Sequence, residues 1–175
     1  MTVESYKIEI AEEFPYTLIV LCLHVTFVAY SGMALVIPKR VKYFNKEFMK
    51  QFNAEHQAAY GTDAAPGGFP DNGHGRYAAK LPYEQWYDFN NRTRAHMNMV
   101  EQLVLQTIAA LLFAIFHPLP GLIAALLMSF GRVLYILMYV SCGPNKRGLG
   151  IRVSAGVTYI QVLYLIGRLI YELSI

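Results

Sequence analysis

Three short sets of polar residues interrupt long apolar stretches of this chain. Arg94, Asn98 and Glu101 stand at i, i+4 and i+7, which brings them to one face of a helix. Arg132, Tyr135 and Tyr139 follow a similar pattern at i, i+3 and i+7. Lys146 and Arg147 come next, in a turn-rich segment, and His96 lies between Arg94 and Asn98. A charge inside a membrane is costly, so Glu101 is expected to face a polar interior and to have a partner. Arg132 is the obvious one, because a guanidinium carries five donors and keeps its proton there. Such a pair either fixes the packing of two helices or belongs to a site that holds a polar ligand; spacing alone allows both. Tyr139 suits an interfacial belt, whereas Tyr135 is a turn further inward. Arg168 and Glu172, at i and i+4, read as a local pair near a helix end.

The elements that carry these residues follow from composition. Of 175 residues, 55% are apolar, 14% aromatic and only 15% charged, and the mean hydropathy is +0.31. Soluble domains carry about 25% charged residues, so a soluble domain and a nucleic-acid binder are both excluded. Disorder is excluded as well, because the chain has too much apolar material to bury. The two cysteines, Cys22 and Cys142, make no disulfide framework, and no Cys/His cluster has metal-ligand spacing. His24, His56, His74 and His117 share no spacing and read as one buried, two loop and one turn histidine. No cleavable signal is expected, since acidic residues precede the first apolar block.

Four apolar blocks are predicted to span a membrane, at residues 16–37, 97–116, 119–140 and 153–171. At 1.5 Å per residue each covers roughly 28–33 Å, enough for a hydrocarbon core. The second and third are joined only by 117–121, and the third and fourth by 141–148, so antiparallel neighbours and an all-α up-down bundle follow. Of 15 Lys and Arg, 12 fall in the first and third connections and their helix ends. The positive-inside rule puts those connections in the cytosol or its equivalent and both termini on the far side. The segment before the first span, with Glu4, Glu9, Glu12 and Glu13 against Lys7, agrees. The first connection, 38–88, is long. Its start aligns Val41, Phe44, Phe48 and Phe52 opposite Lys39, Lys42, Lys46 and Lys50, which reads either as a helix lying at the headgroups or as a cytosolic extension of the first span. Gly61 to Gly75 reads as loop, with a turn at 70–73. The pattern Asn91-Arg92-Thr93 is a glycosylation sequon that this topology leaves unused.

Residues 89–101, reading Phe-x-x-x-x-Arg-Ala-His-x-Asn-x-x-Glu, precede Gly131-Arg132-Val133-Leu134-Tyr135 and Pro144-x-Lys146-Arg147. This combination resembles the MAPEG family, the membrane-associated proteins in eicosanoid and glutathione metabolism, and looks most like its type-three microsomal glutathione transferase branch. The resemblance covers all four spans. It implies a homotrimer of four-helix subunits with glutathione bound between neighbours near the cytosolic face. It also implies glutathione transfer to lipophilic electrophiles or reduction of lipid hydroperoxides, in the endoplasmic reticulum or a mitochondrial membrane. Carried over, Arg94, His96, Asn98 and Glu101 on the second helix and Arg132, Tyr135 and Tyr139 on the third are the expected glutathione contacts. Arg147 or Lys146 is the expected thiolate-stabilising cation, with Arg147 favoured for its planar fork. The chemistry is consistent: glutathione is a small anion with two carboxylates, and a fixed cation lowers a thiol pKa from about 8.5 toward neutrality. One or two units correspond to about 1.4–2.7 kcal/mol, within reach of one guanidinium.

Departures from the family pattern keep a second reading open. Asn90-Asn91 replaces a frequent Glu-Arg, Gln102 follows Glu101 where the leukotriene-forming branch has Tyr, Met138 stands where Gly is common, and the long first connection holds the only tryptophan, Trp86. The leading expectation is a transferase or peroxidase using glutathione as co-substrate, with no metal and no nucleic acid. The alternative is an accessory subunit of a larger membrane complex without essential catalysis, and a third option is a binder that presents membrane lipid without chemistry.

Overall fold

The computed structural model describes residues 11–175; the expected acidic lead at Glu4, Lys7 and Glu9 lies outside the described residues. Among the described residues there are helices and turns and no strand. Four helices are long and apolar enough to cross a membrane: α1 (Phe14–Tyr43), α4 (Tyr83–Phe116), α5 (Pro118–Cys142) and α6 (Gly148–Leu173). Two short helices, α2 (Lys46–Met49) and α3 (Asn53–Tyr60), lie in the first connection. The chain is an integral, multi-pass membrane protein.

The bundle is inside-out relative to a soluble one. The buried stripe of α1 is Thr17, Leu21, His24, Val28 and Ser31, and that of α6 is Gly150, Ser154, Thr158, Gln161 and Leu165. Large apolar residues such as Leu23, Ile108, Phe130 and Leu163 point outward. Lipid is as apolar as leucine, so helices associate through close packing of small residues and through polar groups. A Cβ on Gly121 would sit 2.5 Å from Ala114 Cα, and one on Gly150 2.3 Å from Tyr135 N. Those two glycines let α5 lie tightly against α4 and α6. The turn between α4 and α5 is made by His117, with Pro118 and Pro120 in the first turn of α5, where a missing N–H costs nothing. α5 packs against α1, α4 and α6, and α4 also packs against α1 and α6.

The first connection departs from expectation. Helix α1 continues past Pro38 to Tyr43, and α4 begins at Tyr83, so the connection is shorter than 38–88. Pro38 is accommodated by a π-helical turn at Gly32–Val36, in which the Ile37 N–H donates to Gly32 O. Of the two readings of the connection's start, an extension of the first span is seen as far as Tyr43, and a continuous helix with Val41, Phe44, Phe48 and Phe52 on one face does not form. The backbone breaks at Phe44 (φ −99°, ψ 44°), and Phe44 and Phe52 turn into a core with Met49, Ala78, Leu81 and Phe89. Phe44 meets Phe89 edge-to-face at 5.1 Å. Of the predicted apolar face only Val41 remains outside, 64% exposed. The connection is thus a packed insert seated on the first turns of α4, against which Trp86 also packs.

Candidate functional site

Arg132 lies deep in α5 with 1% of its surface exposed. Its Nε donates to Gln106 Oε1 at 3.0 Å and its Nη1 to Asn98 Oδ1 at 3.4 Å. The expected pairing of Glu101 with Arg132 is therefore corrected: both partners of the guanidinium are neutral amides on α4. Glu101 instead meets Arg94 of its own helix at 3.7 Å, and both side chains are about half exposed, at 47% and 49%. The cause is helical phase. At 100° per residue Glu101 lies about 140° round α4 from Gln106, so one faces out when the other faces in. Arg132 keeps an uncompensated positive charge among the described residues. Elsewhere in the bundle core, His24 on α1 and Gln161 on α6 are buried with both polar side-chain atoms lacking a hydrogen-bond partner among the described residues. His24 is thus buried as expected.

One turn and two turns toward the insert end, Tyr135 and Tyr139 are 1% and 7% exposed. Their rings meet edge-to-face at 5.5 Å with an interplanar angle of 74°. The Gly150 contact holds the backbone of this turn. Arg132 lies 5.8 Å from the Tyr135 ring centroid. After α5 ends at Gly143, in a backbone with φ of +83°, a turn of 3-10 helix at Pro144–Lys146 brings the chain back. It sets the Arg147 guanidinium 5.5 Å from the Tyr139 ring centroid. Lys146 is exposed at the end of its turn.

His96 does not join this group. It faces α1, with its Nδ1 2.9 Å from Ser31 Oγ, while that hydroxyl donates to Val28 O at 2.7 Å. The ring fits against Gly32, where a Cβ would lie 2.8 Å from His96 Nε2. Beside it a cavity of about 330 Å³ is lined by Gly32, Arg40, Phe69, Asn72, Thr93 and His96, among others. Arg40 is 3% exposed and forms no ion pair with a carboxylate among the described residues. It donates to Gly67 O and Asn72 Oδ1, each at 3.0 Å, and stacks 4.2 Å from the Phe69 ring centroid. Thr93 Oγ1 is buried with no partner among the described residues.

The site residues named from sequence thus divide into two groups at one end of the bundle. Asn98, Arg132, Tyr135, Tyr139 and Arg147 converge between α4 and α5, with the Arg94–Glu101 pair on the outer flank of α4. His96 belongs to the α1 side. Sequence reasoning missed Gln106, Arg40, Ser31 and Thr93. Gln106 is signalled by being an amide within an apolar block; Arg40 carried a signal only as one member of a basic run. Chemically, three guanidinium groups, one buried amide and two phenols make a site for a small polyanion at the edge of the apolar layer.

Among the described residues no group of three His, Cys, Asp or Glu is placed to hold a metal ion. No curated protein and no solved structure matches the chain. The sequence model of the MAPEG family matches residues 14–171. With nearly the whole chain covered, all four spanning helices included, the protein belongs to the MAPEG family.

Proposed function

We propose that the protein is a membrane-bound glutathione transferase or peroxidase acting on lipophilic electrophiles or lipid hydroperoxides. The observation that carries this reading is Arg132 buried with no carboxylate partner among the described residues, below Tyr135 and Tyr139, with Arg94 and Arg147 at the same end. Such a cradle is short of negative charge, and glutathione supplies it. In this reading Arg94 and Asn98 hold the peptide carboxylates, and Arg147 lies nearest the thiol. The position of Arg147 over Tyr139 supports it over Lys146 as the thiolate-stabilising group. The guanidinium favours the ionised sulfur, whose lone pair attacks an electrophilic carbon; the thiol proton leaves to solvent and the leaving group departs or the ring opens. The lipophilic partner arrives through the bilayer along the outer faces of α4 and α5.

The site is completed by neighbouring copies in a homotrimer. An ion pair half exposed on the side of a spanning helix is costly against lipid, so the Arg94–Glu101 face of α4 calls for a protein cover. His96 and Arg40, on the α1 side, then supply contacts to the glutathione of a neighbour. The type-three transferase branch and an endoplasmic reticulum or mitochondrial membrane complete the proposal. The test is purification in mild detergent, with glutathione binding followed by thiolate absorbance near 240 nm, a wavelength set by the probe, and conjugation assayed on the same sample. A thiolate signal with turnover is the expected result; absence of glutathione binding overturns the reading.

A second reading, an accessory subunit of a larger membrane complex, has one observation in its favour. The insert packs into a core of residues from Val36 on α1 to Phe89 on α4, which a bundle-borne active site does not require. Co-purification of other chains in fixed ratio, with no turnover, would select it.

A further inference from the structure

The insert contains a second cavity, of about 460 Å³, between α3 and the chain around residues 70–77. It lies outside the spanning bundle and shares no residue with the glutathione site. Its walls are aromatic. Phe52 and Tyr77 pair at 4.7 Å between centroids, and His56 and Tyr60 at 5.0 Å. The His56 ring is fixed by a contact of its Nδ1 with Thr62 O at 3.0 Å. Two carboxylates and one guanidinium also line it: Glu55, Asp71 and Arg76.

The disposition of those charges narrows the ligand. Asp71 is 7% exposed, and its oxygens are taken by the backbone N–H groups of Gly73, Gly75 and Ala78. Its negative charge reaches the cavity while its acceptor capacity is spent. Glu55 accepts from Arg76 at 2.8 Å at the rim. A primary ammonium or a guanidinium ligand needs acceptors for its N–H groups and would find few. A quaternary ammonium needs none; it is held by the faces of aromatic rings and by net negative charge, and with Glu55 paired to Arg76 the lining keeps one net negative charge, that of Asp71. The volume falls in the range of small-molecule sites and leaves room for a substituent on the nitrogen.

We propose that this cavity is a binding site for a quaternary ammonium group, with the Tyr60 and Tyr77 rings against the cation, Asp71 supplying the field and Glu55 holding the Arg76 charge neutral at the rim. The group is either a free choline-type cation or the headgroup of a choline lipid reached at the membrane surface.

The experiment is calorimetric titration of the full-length protein in a maltoside detergent with choline and with tetramethylammonium. Their neutral isostere, 3,3-dimethylbutanol, is the control. Both cations bind in the millimolar range, and the isostere at least about tenfold more weakly. Tyr60 is 77% exposed, so its replacement leaves the fold intact. Tyr60→Leu weakens binding about five- to tenfold, Tyr60→Phe restores it, and Glu55→Gln lowers it with unchanged melting temperature. Nanodiscs separate the sources. If the lipid headgroup is the natural occupant, phosphatidylcholine discs block added choline and phosphatidylglycerol discs do not. If a free cation is, both discs leave binding unchanged. Equal binding of 3,3-dimethylbutanol, no heat from either cation, or indifference to Tyr60→Leu overturns the proposal. None of these outcomes bears on glutathione binding.

Discussion

Replacing Gln106 by leucine strips the Arg132 Nε of its acceptor while leaving the guanidinium in place. A buried donor left unsatisfied costs about 1–3 kcal/mol, more when charged. Gln106→Leu and Arg132→Leu should each lower the melting temperature in detergent, and the double variant should lose less than their sum. Glu101→Gln combined with Arg132→Leu should be additive, because the two residues do not touch. Coupling in the second cycle and none in the first would reverse the assignment made from the hydrogen bonds. The same scale holds the kinetic expectation. Arg147→Ala should cut turnover and move its onset to higher pH with modest change in glutathione affinity, whereas Lys146→Ala should do neither. Arg94→Ala should weaken glutathione binding first, since it removes contacts present before reaction. Steady-state rates across pH with binding isotherms separate these effects.

Among the elements, the insert gives the most direct test. The Asp71 carboxyl is pushed up by burial, but the backbone N–H groups of Ala78, Gly75, Gly73 and Tyr77 outweigh that and hold its pKa below the usual 3.8. A carboxyl whose folded pKa is depressed contributes stability that is present above 3.8 and lost as pH falls through the folded value. Asp71→Ala should cost about 2–3 kcal/mol near neutral pH, with a difference from wild type that shrinks in strong acid. Trp86, the only tryptophan, packs against this core and reports its unfolding by fluorescence. Gly32→Ala should disturb the π-helical turn, because its methyl would meet His96. The insert also marks where sequence reading stops. The spacing of Phe44, Phe48 and Phe52 was legible, but an apolar helical face looks the same whether lipid or protein covers it. Only the break at Phe44 decides, and no proline or glycine announces it. The spans were legible because length and apolarity suffice for them. The phase error at Glu101 arose because a pair of opposite charges looks like a contact until the neutral amides Gln106 and Asn98 are counted.

At the scale of the whole molecule, the connections that follow α1 and α5 lie at one end of the bundle. Cysteine introduced at Asp63 and at Ser174 should label from opposite sides of sealed vesicles; labelling from one side would refute the four-span arrangement. Chemical cross-linking should trap three copies, and replacing both Arg94 and Glu101 by leucine should not abolish insertion. The 34 residues of α4 run unbroken from the insert into the bilayer, a rod of about 51 Å. Phe89 is rooted in the insert core, and Arg94 and Asn98 follow along the same rod with no hinge between them. The insert core and the polar residues of the cradle are therefore set in register by one uninterrupted backbone, so a residue inserted or deleted between Phe89 and Arg94 would turn the two out of phase by about 100°.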